Sequence, residues 1–107
     1  MEILYEEQNR GYLGLSYEPY LQGWVLHVNF NPNLWSTDIE KYNIIKYCLV
    51  VFKIVLKQLK ERNITEVYGL CSTEKEAKFN KLFGFKDTNL IAIGNNNESK
   101  LILKLEF

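Results

Sequence analysis

The sequence predicts one α+β domain built on a mixed β-sheet, with the element order β-β-β-α-β-α-β-β and a long helix crossing the sheet. Short apolar or alternating stretches separated by turn residues lie at both ends of the chain, which is typical of antiparallel strands. A long stretch with apolar residues at helical spacing lies between them, and a shorter helical stretch follows and stops at a glycine. At 107 residues the chain has room for one core, so we interpret residues 1–107 as a single domain.

The first 30 residues predict a meander of three antiparallel strands. Residues 1–7, 11–18 and 23–30 alternate or run apolar, and turn residues lie between them at 9–11 and 22–23. Side chains of the third strand alternate between two faces, with Trp24, Leu26, Val28 and Phe30 on one and Val25, His27 and Asn29 on the other.

A long helix is predicted over residues 38–62. Thr37 followed by Glu40 matches a capping box, in which each side chain accepts a hydrogen bond from the other residue's free backbone N–H. Asn63 is expected to end the helix in the left-handed conformation. Apolar residues cover about half of the helix circumference. They form one stripe of Tyr42, Ile45, Leu49, Phe52, Leu56 and Leu59 and a neighbouring stripe of Ile44, Cys48, Val51 and Val55.

A second, shorter helix is predicted over residues 73–84. Thr73 with Glu76 matches another capping box at its start. Gly84 is expected to end the helix, because a residue without a Cβ takes the left-handed conformation without strain. Phe85 can then fold back on the last helical turn.

Three further strands complete the prediction, at residues 65–72, 89–94 and 100–107. The last two are joined by a short polar turn and predict a closing hairpin. The strand at 23–30 and the strand at 65–72 are separated by the long helix, so we expect them to lie parallel and adjacent through a right-handed crossover.

Charge and hydropathy exclude two classes of partner. The 13 basic and 13 acidic residues cancel, which argues against a nucleic-acid binder that relies on neutralising phosphates. The longest apolar stretch, residues 47–56, contains Lys53 and is about half as long as a membrane span. We therefore expect neither nucleic acid nor membrane as a partner.

The cysteines and the first residues predict a reducing compartment. Cys48 and Cys71 lie in apolar stretches, which is the usual setting of buried free thiols. Met1 is followed by acidic, alternating residues rather than by a signal-peptide pattern. The expected location is the cytoplasm, or a host cytoplasm or virion if the chain is phage-encoded.

The second helix and its exit, "STEKEAKFNKLFGFKDTN" (72–89), resemble the C-terminal half of the GNAT family of N-acetyltransferases. In that family the corresponding helix leaves through an aromatic-rich Gly-Phe step, which Gly84 and Phe85 match. The element order extends the resemblance over about residues 12–107 and implies a GNAT-like fold. The family's N-terminal strand and helix pair are expected to be missing. The resemblance implies acetyl-CoA as cofactor for a member that is active.

The segment where the family binds the pyrophosphate of acetyl-CoA departs from the family pattern. Family members use a glycine-rich turn before the long helix, because backbone N–H groups must approach the phosphates closely. Here residues 29–43 contain no glycine, Pro32 lacks a donor, and the Thr37 side chain would occupy a needed N–H. Asp38 and Glu40 place negative charge where an anion would bind. We expect no cofactor.

Candidate catalytic residues are few. Many family members have a tyrosine four residues before the Gly-Phe glycine that can protonate the leaving thiolate, and that position is Asn80 here, which has no proton to give. His27 is the single histidine and a weak candidate for a general base, although a hydrogen-bonded structural role is favoured. A metal site from His27, Cys48 and Cys71 lacks suitable spacing and a fourth ligand, so no metal is expected. Gly84 and Phe85 are transferred as structural residues.

The long helix carries a possible interface. Tyr47, Val50 and Ile54 fall outside the apolar half of the helix, in a sector shared with Asn43, Lys57 and Glu61. Exposed apolar residues at this spacing predict contact with a protein partner or a second copy of the chain. The alternative is that the protein's own sheet covers them.

These observations favour a non-catalytic GNAT-like interaction or structural module. Short GNAT-like proteins occur in phage genomes, some as virion components. The excess of lysine over arginine and the many asparagines are typical of an AT-rich genome. A phage virion component is therefore one form of this hypothesis. The alternatives are a divergent acetyl-CoA-dependent N-acetyltransferase and an inhibitor or regulator of a host protein.

Overall fold

The computed structural model describes residues 1–30, 38–94 and 96–107, and its elements follow the predicted order. The glycine-free segment 31–37 and the predicted capping pair of Thr37 with Glu40 lie outside the described residues, as do the side chains of Phe30, Ile44 and residues 38–41. The elements are β1 (Glu2–Glu7), β2 (Gly11–Glu18), β3 (Gly23–Phe30), α1 (Asp38–Glu61), β4 (Glu66–Cys71), α2 (Glu74–Lys81), β5 (Lys86–Ile93) and β6 (Ser99–Glu106).

All six strands form one mixed sheet in the order β1-β2-β3-β4-β6-β5. β1, β2 and β3 form the antiparallel meander that the sequence predicts. β3 and β4 pair in parallel, with Val25 opposite Tyr68, because α1 carries the chain back across the sheet between them. β5 and β6 form the predicted closing hairpin, and β6 inserts between β4 and β5.

The sharp turns use residues that tolerate the left-handed conformation. Asn9 between β1 and β2 has φ 67°, and Asn63 after α1 has φ 62° as the sequence predicts. Past Asn63, the Ile64 N–H donates to the Leu59 carbonyl at 2.9 Å, which closes the end of α1.

The main core lies between one face of the sheet and α1 and α2. Alternating side chains of β2, β3, β4 and β6 meet the buried stripe of α1 and the inner face of α2. The buried members of this cluster are Leu13, Leu15, Leu26, Val51, Phe52, Val55, Leu59, Ile64, Val67, Cys71, Ala77, Phe85, Leu103 and Leu105.

The buried stripe of α1 is narrower than predicted. Val51, Val55 and Leu59 are buried as expected. The prediction that Tyr42 and Leu49 also face the core is wrong, since they are 67% and 38% exposed. A sheet contacts one side of a helix, and these two residues lie on the side away from Val51 and Val55.

The start of α2 differs in one bond from the predicted capping box. The Thr73 Oγ1 accepts from the Glu76 N–H at 3.2 Å, as predicted. The Glu76 carboxylate, however, accepts from the N–H of Ser72 at 2.7 Å. The side chain reaches past Thr73 to the last residue before the cap, so both bonds tie α2 to the end of β4.

Three phenylalanine rings connect α1 to the exit of α2. The Phe52 ring of α1 lies 5.0 Å from the Phe83 ring and 6.1 Å from the Phe85 ring, centroid to centroid. Phe83 and Phe85 flank Gly84, so the two rings anchor the turn after α2 to the core, while Gly84 itself and Leu82 are exposed. In the part of the chain that the structure describes, no helix is long and apolar enough to cross a membrane.

Candidate functional site

Asn80 lies on the inner face of α2, at the position where the GNAT resemblance expects a tyrosine. The side chain is buried at 9% exposure, and its Nδ2 donates to the Cys71 Sγ at the end of β4 at 2.9 Å. Burial raises the pKa of the Cys71 thiol, although the hydrogen bond from Asn80 opposes this. Cys71 therefore stays protonated near neutral pH, and the two side chains form a neutral buried contact.

Gly69 allows this contact, a role that is not among the sequence predictions. A Cβ at Gly69 would lie 3.3 Å from Asn80 Nδ2 and 3.3 Å from Phe85 Cε1. Glycine in the middle of β4 thus lets the amide and the ring lie directly against the strand. A glycine inside a strand pattern is a signal of such a close approach.

The exit from α2 brings Gly84 and Phe85 to the positions that the Gly-Phe resemblance implies. Gly84 has φ +98°, and its N–H donates to the Lys81 carbonyl at 3.1 Å. Phe85 is 3% exposed, and its N–H points back to the Asn80 carbonyl at 3.4 Å. The left-handed glycine therefore turns the chain so that Phe85 enters the core beside Asn80.

A small, mostly apolar cavity lies next to Asn80. Its walls come from β2, β3, α1 and the turn after α2, and include Leu13, Cys48, Phe52 and Phe83. The cavity has room for about one water molecule. Burial raises the pKa of the Cys48 thiol at its wall to about 11, so this thiol is also protonated.

His27 lies on the face of the sheet opposite the helices and is hydrogen-bonded. Its Nε2 is 2.7 Å from the Ser16 Oγ, and that hydroxyl donates to the Glu18 carboxylate at 3.1 Å. A hydroxyl has one hydrogen, so when it donates to Glu18 it accepts from Nε2–H of His27. Burial lowers the pKa of His27, while Glu18 opposes the shift. The neutral ring is thus a donor at Nε2.

The three residues of the predicted interface are not equivalent. Val50 and Ile54 on α1 are 57% and 52% exposed. Tyr47 is half-buried, its hydroxyl bonds to Tyr5 and Glu7, and its ring lies against the core cluster. The β1–β2 hairpin therefore covers Tyr47, and the exposed apolar stripe reduces to Val50 and Ile54.

Lysines surround this reduced stripe. Lys46, Lys53 and Lys57 are exposed and project from the same side of α1 as Val50 and Ile54. Within the described ranges none of the three lysines lies in an ion pair. We call Lys46, Val50, Lys53, Ile54 and Lys57 the outer face of α1; it is apolar and basic.

A metal site does not assemble from the predicted candidates. Cys48 and Cys71 are free and buried, and His27 lies on the other side of the sheet. Across residues 1–30, 38–94 and 96–107, no group of three or more His, Cys, Asp and Glu side chains could hold a metal ion.

No protein-family model matches the chain, and no curated protein matches it at a significant level. Among solved structures, the chain is similar to an acetyltransferase of the GNAT family from Bacillus anthracis, with a TM-score of 0.61 and 12% sequence identity. The match covers 91% of this chain and 58% of that structure's chain, so the protein spans little more than half the length of that relative. The chain has a GNAT-like fold.

Proposed function

We propose that the protein is a non-catalytic GNAT-like module that binds another protein through the outer face of α1. The observation that carries the non-catalytic part is the buried contact of Asn80 with Cys71. Acyl transfer from a thioester is assisted by a proton for the leaving thiolate, and an amide at this position has none to give.

The surroundings of Asn80 support this proposal. The cavity beside it has room for about one water molecule, whereas the acetyl and thioester groups of acetyl-CoA are several times larger. The Phe52 ring packs against the Phe83 and Phe85 rings there. Opening the space would therefore require rings to leave the core, at a free-energy cost of several kcal/mol on the scale of about 1.5–3 kcal/mol for each buried aromatic side chain.

The hydrogen bonds of His27 favour a structural role for this residue. In the network with Ser16 and Glu18, the Nε2 of His27 donates, and that serine is satisfied by the two partners. His27 therefore stabilises the packing of β2 against β3.

The outer face of α1 supports the binding part of the proposal. Val50 and Ile54 would bury apolar surface on contact with a partner, and the exposed lysines around them favour carboxylates. The partner class that fits is a protein segment with interleaved apolar and acidic side chains. Two copies of α1 meeting through this face would place lysines against lysines, which disfavours self-association there.

A structural component of a virion and a regulator of a host protein are two forms of this binding function. A divergent acetyltransferase is the alternative, and it requires acetyl-CoA to bind. Calorimetric titration with acetyl-CoA tests the choice. The proposal expects no saturable heat at millimolar ligand, and saturable one-to-one binding would refute it.

A further inference from the structure

The outer edge of the sheet at β5 is apolar and exposed. Leu90, Ile91 and Ile93 are 57%, 60% and 76% exposed. β5 is the last strand in the sheet order, and within the described residues no strand pairs with its outer side. An exposed apolar edge strand presents unpaired backbone groups to which another strand can add.

The hairpin register identifies which backbone groups point outward. The Gly94 N–H donates to the Glu98 carbonyl at 2.8 Å, so residues 94 and 98 form a hydrogen-bonded pair. Hydrogen-bonded and non-hydrogen-bonded pairs alternate along an antiparallel ladder. Ala92 opposite Lys100 is therefore the next bonded pair, and Ile91 and Ile93 direct their N–H and C=O groups to the free edge.

The two halves of β5 differ in their protection against added strands. The first half carries charge at Lys86 and Asp87, and Asp87 forms an ion pair with Lys81 at 2.8 Å. The register with β6 then shifts between Asp87 and Leu90, where Asn89 has φ 62°. Charges and bulges are common devices that block edge pairing. Residues 90–93 have neither charge, proline nor bulge.

We propose that residues 90–93 pair antiparallel with the same residues of a second copy, which joins two sheets across a two-fold axis. With Ala92 opposite Ala92 at the axis, Ile91 of each copy lies opposite Ile93 of the other. The outward N–H and C=O groups of both isoleucines then complete hydrogen-bonded pairs, and the isoleucine side chains pack as cross-strand neighbours.

A second copy suits this edge better than other occupants. The segment is uncharged, so self-pairing brings no like charges together, in contrast to the outer face of α1. The small Ala92 side chain also suits the axis, where a non-hydrogen-bonded pair brings Cα atoms to about 4.5 Å. This dimer goes beyond the proposed binding function and does not depend on it.

Hydrogen exchange followed by NMR on the full chain over a dilution series tests this pairing. The amides of Ile91 and Ile93 should exchange at least about tenfold more slowly at high concentration than after dilution, in step with dimer population measured by sedimentation. The Ala92 amide, which donates to β6, should stay protected throughout. The proposal would be overturned if the exchange rates of the Ile91 and Ile93 amides did not change with protein concentration. A protein that stays monomeric at millimolar concentration would also overturn it.

Two variants separate edge pairing from folding. Ile93→Lys places two lysines beside the axis and should weaken the dimer at least about tenfold. Ile91→Pro removes one outward N–H without breaking a bond to β6 and should weaken it as well. The matched control is Ile3→Lys, which changes an exposed isoleucine on the opposite edge strand β1, and it should dimerise like the wild type. A folded Ile93→Lys chain that dimerises like the control would also contradict the proposal.

Discussion

Asn80 on α2 and Cys71 at the end of β4 are joined by a buried hydrogen bond of 2.9 Å from an amide to a protonated thiol. The bond is made by the residue at the position where the GNAT resemblance implies a tyrosine. In this protein the position holds α2 against the sheet.

Replacing Asn80 by Ala should therefore lower stability. The change removes a buried hydrogen bond and leaves a small void, so we expect a loss of about 1–2 kcal/mol in the free energy of unfolding. Urea denaturation followed by circular dichroism measures it. Lys78→Ala, on the exposed side of the same helix, is the control and should change stability by less than about 0.5 kcal/mol. Equal stability of the two variants would show that the contact is not structural.

Gly84 gives a second prediction, about the exit from α2. Its φ of +98° is strained for a β-branched residue, so Gly84→Val should destabilise by more than about 1 kcal/mol. Gly84→Asn is the matched control, because asparagine tolerates positive φ while its Cβ meets the same Leu105 methyl at 3.2 Å. A smaller loss for Asn than for Val assigns the effect to backbone strain. If the Gly84→Val variant has the same melting temperature as the wild type, the assignment of Gly84 as the left-handed residue that ends α2 is wrong.

His27 should make stability depend on pH below neutrality. Burial lowers its pKa in the folded state, so the unfolded chain binds the proton more readily below about pH 6.5. Its contribution is therefore present above that pH and is lost as pH falls toward the lowered folded pKa. His27→Gln keeps an N–H donor for Ser16 and cannot titrate. Denaturation from pH 7.5 to pH 5 should show a steeper loss in the wild type than in this variant, and parallel curves would contradict the assignment.

The outer face of α1 should bind acidic amphipathic segments. Val50→Glu with Ile54→Glu should leave far-UV circular dichroism unchanged, because both side chains are exposed. The double variant should lose at least about tenfold in affinity for a fluorescent helical peptide of interleaved Glu and Leu, measured by anisotropy. Tyr20→Glu, an exposed aromatic outside α1, is the control and should bind like the wild type.

Two outcomes would count against this face as a binding site. Unfolding of the double variant would place Val50 and Ile54 in the core. Equal binding of the wild type to a peptide with the leucines replaced by serine would show that charge alone drives the contact.

Much of the fold follows from local patterns in the sequence. Strands β3 and β4 are joined by a long helix, and such a connection favours a parallel pair. The glycine after α2 marks the end of that helix. The order of the last two strands in the sheet does not follow from local patterns, because the closing hairpin can pair with β4 through either of its two strands. That β6 pairs with β4 and leaves β5 at the edge depends on tertiary packing.

The site was less predictable for the same reason. Periodicity places Tyr47 outside the apolar half of α1, yet the β1–β2 hairpin extends far enough to cover it. Asn80 lies three residues after the buried Ala77, so a place on the inner face of α2 could have been expected. Its partner Cys71 is brought there by the close approach at Gly69. A glycine inside a strand signals a close approach, but local sequence spacing does not say which residue approaches.

A thermal-shift titration with acetyl-CoA tests most directly whether this GNAT-like fold has lost its cofactor. Ligand at 100 times its dissociation constant would stabilise a binding protein by about 2.7 kcal/mol. Coenzyme A and ATP serve as controls for the acyl group and for a general response to phosphates. We predict the same melting temperature with and without millimolar acetyl-CoA. A saturable rise with acetyl-CoA that ATP does not reproduce would contradict the non-catalytic account.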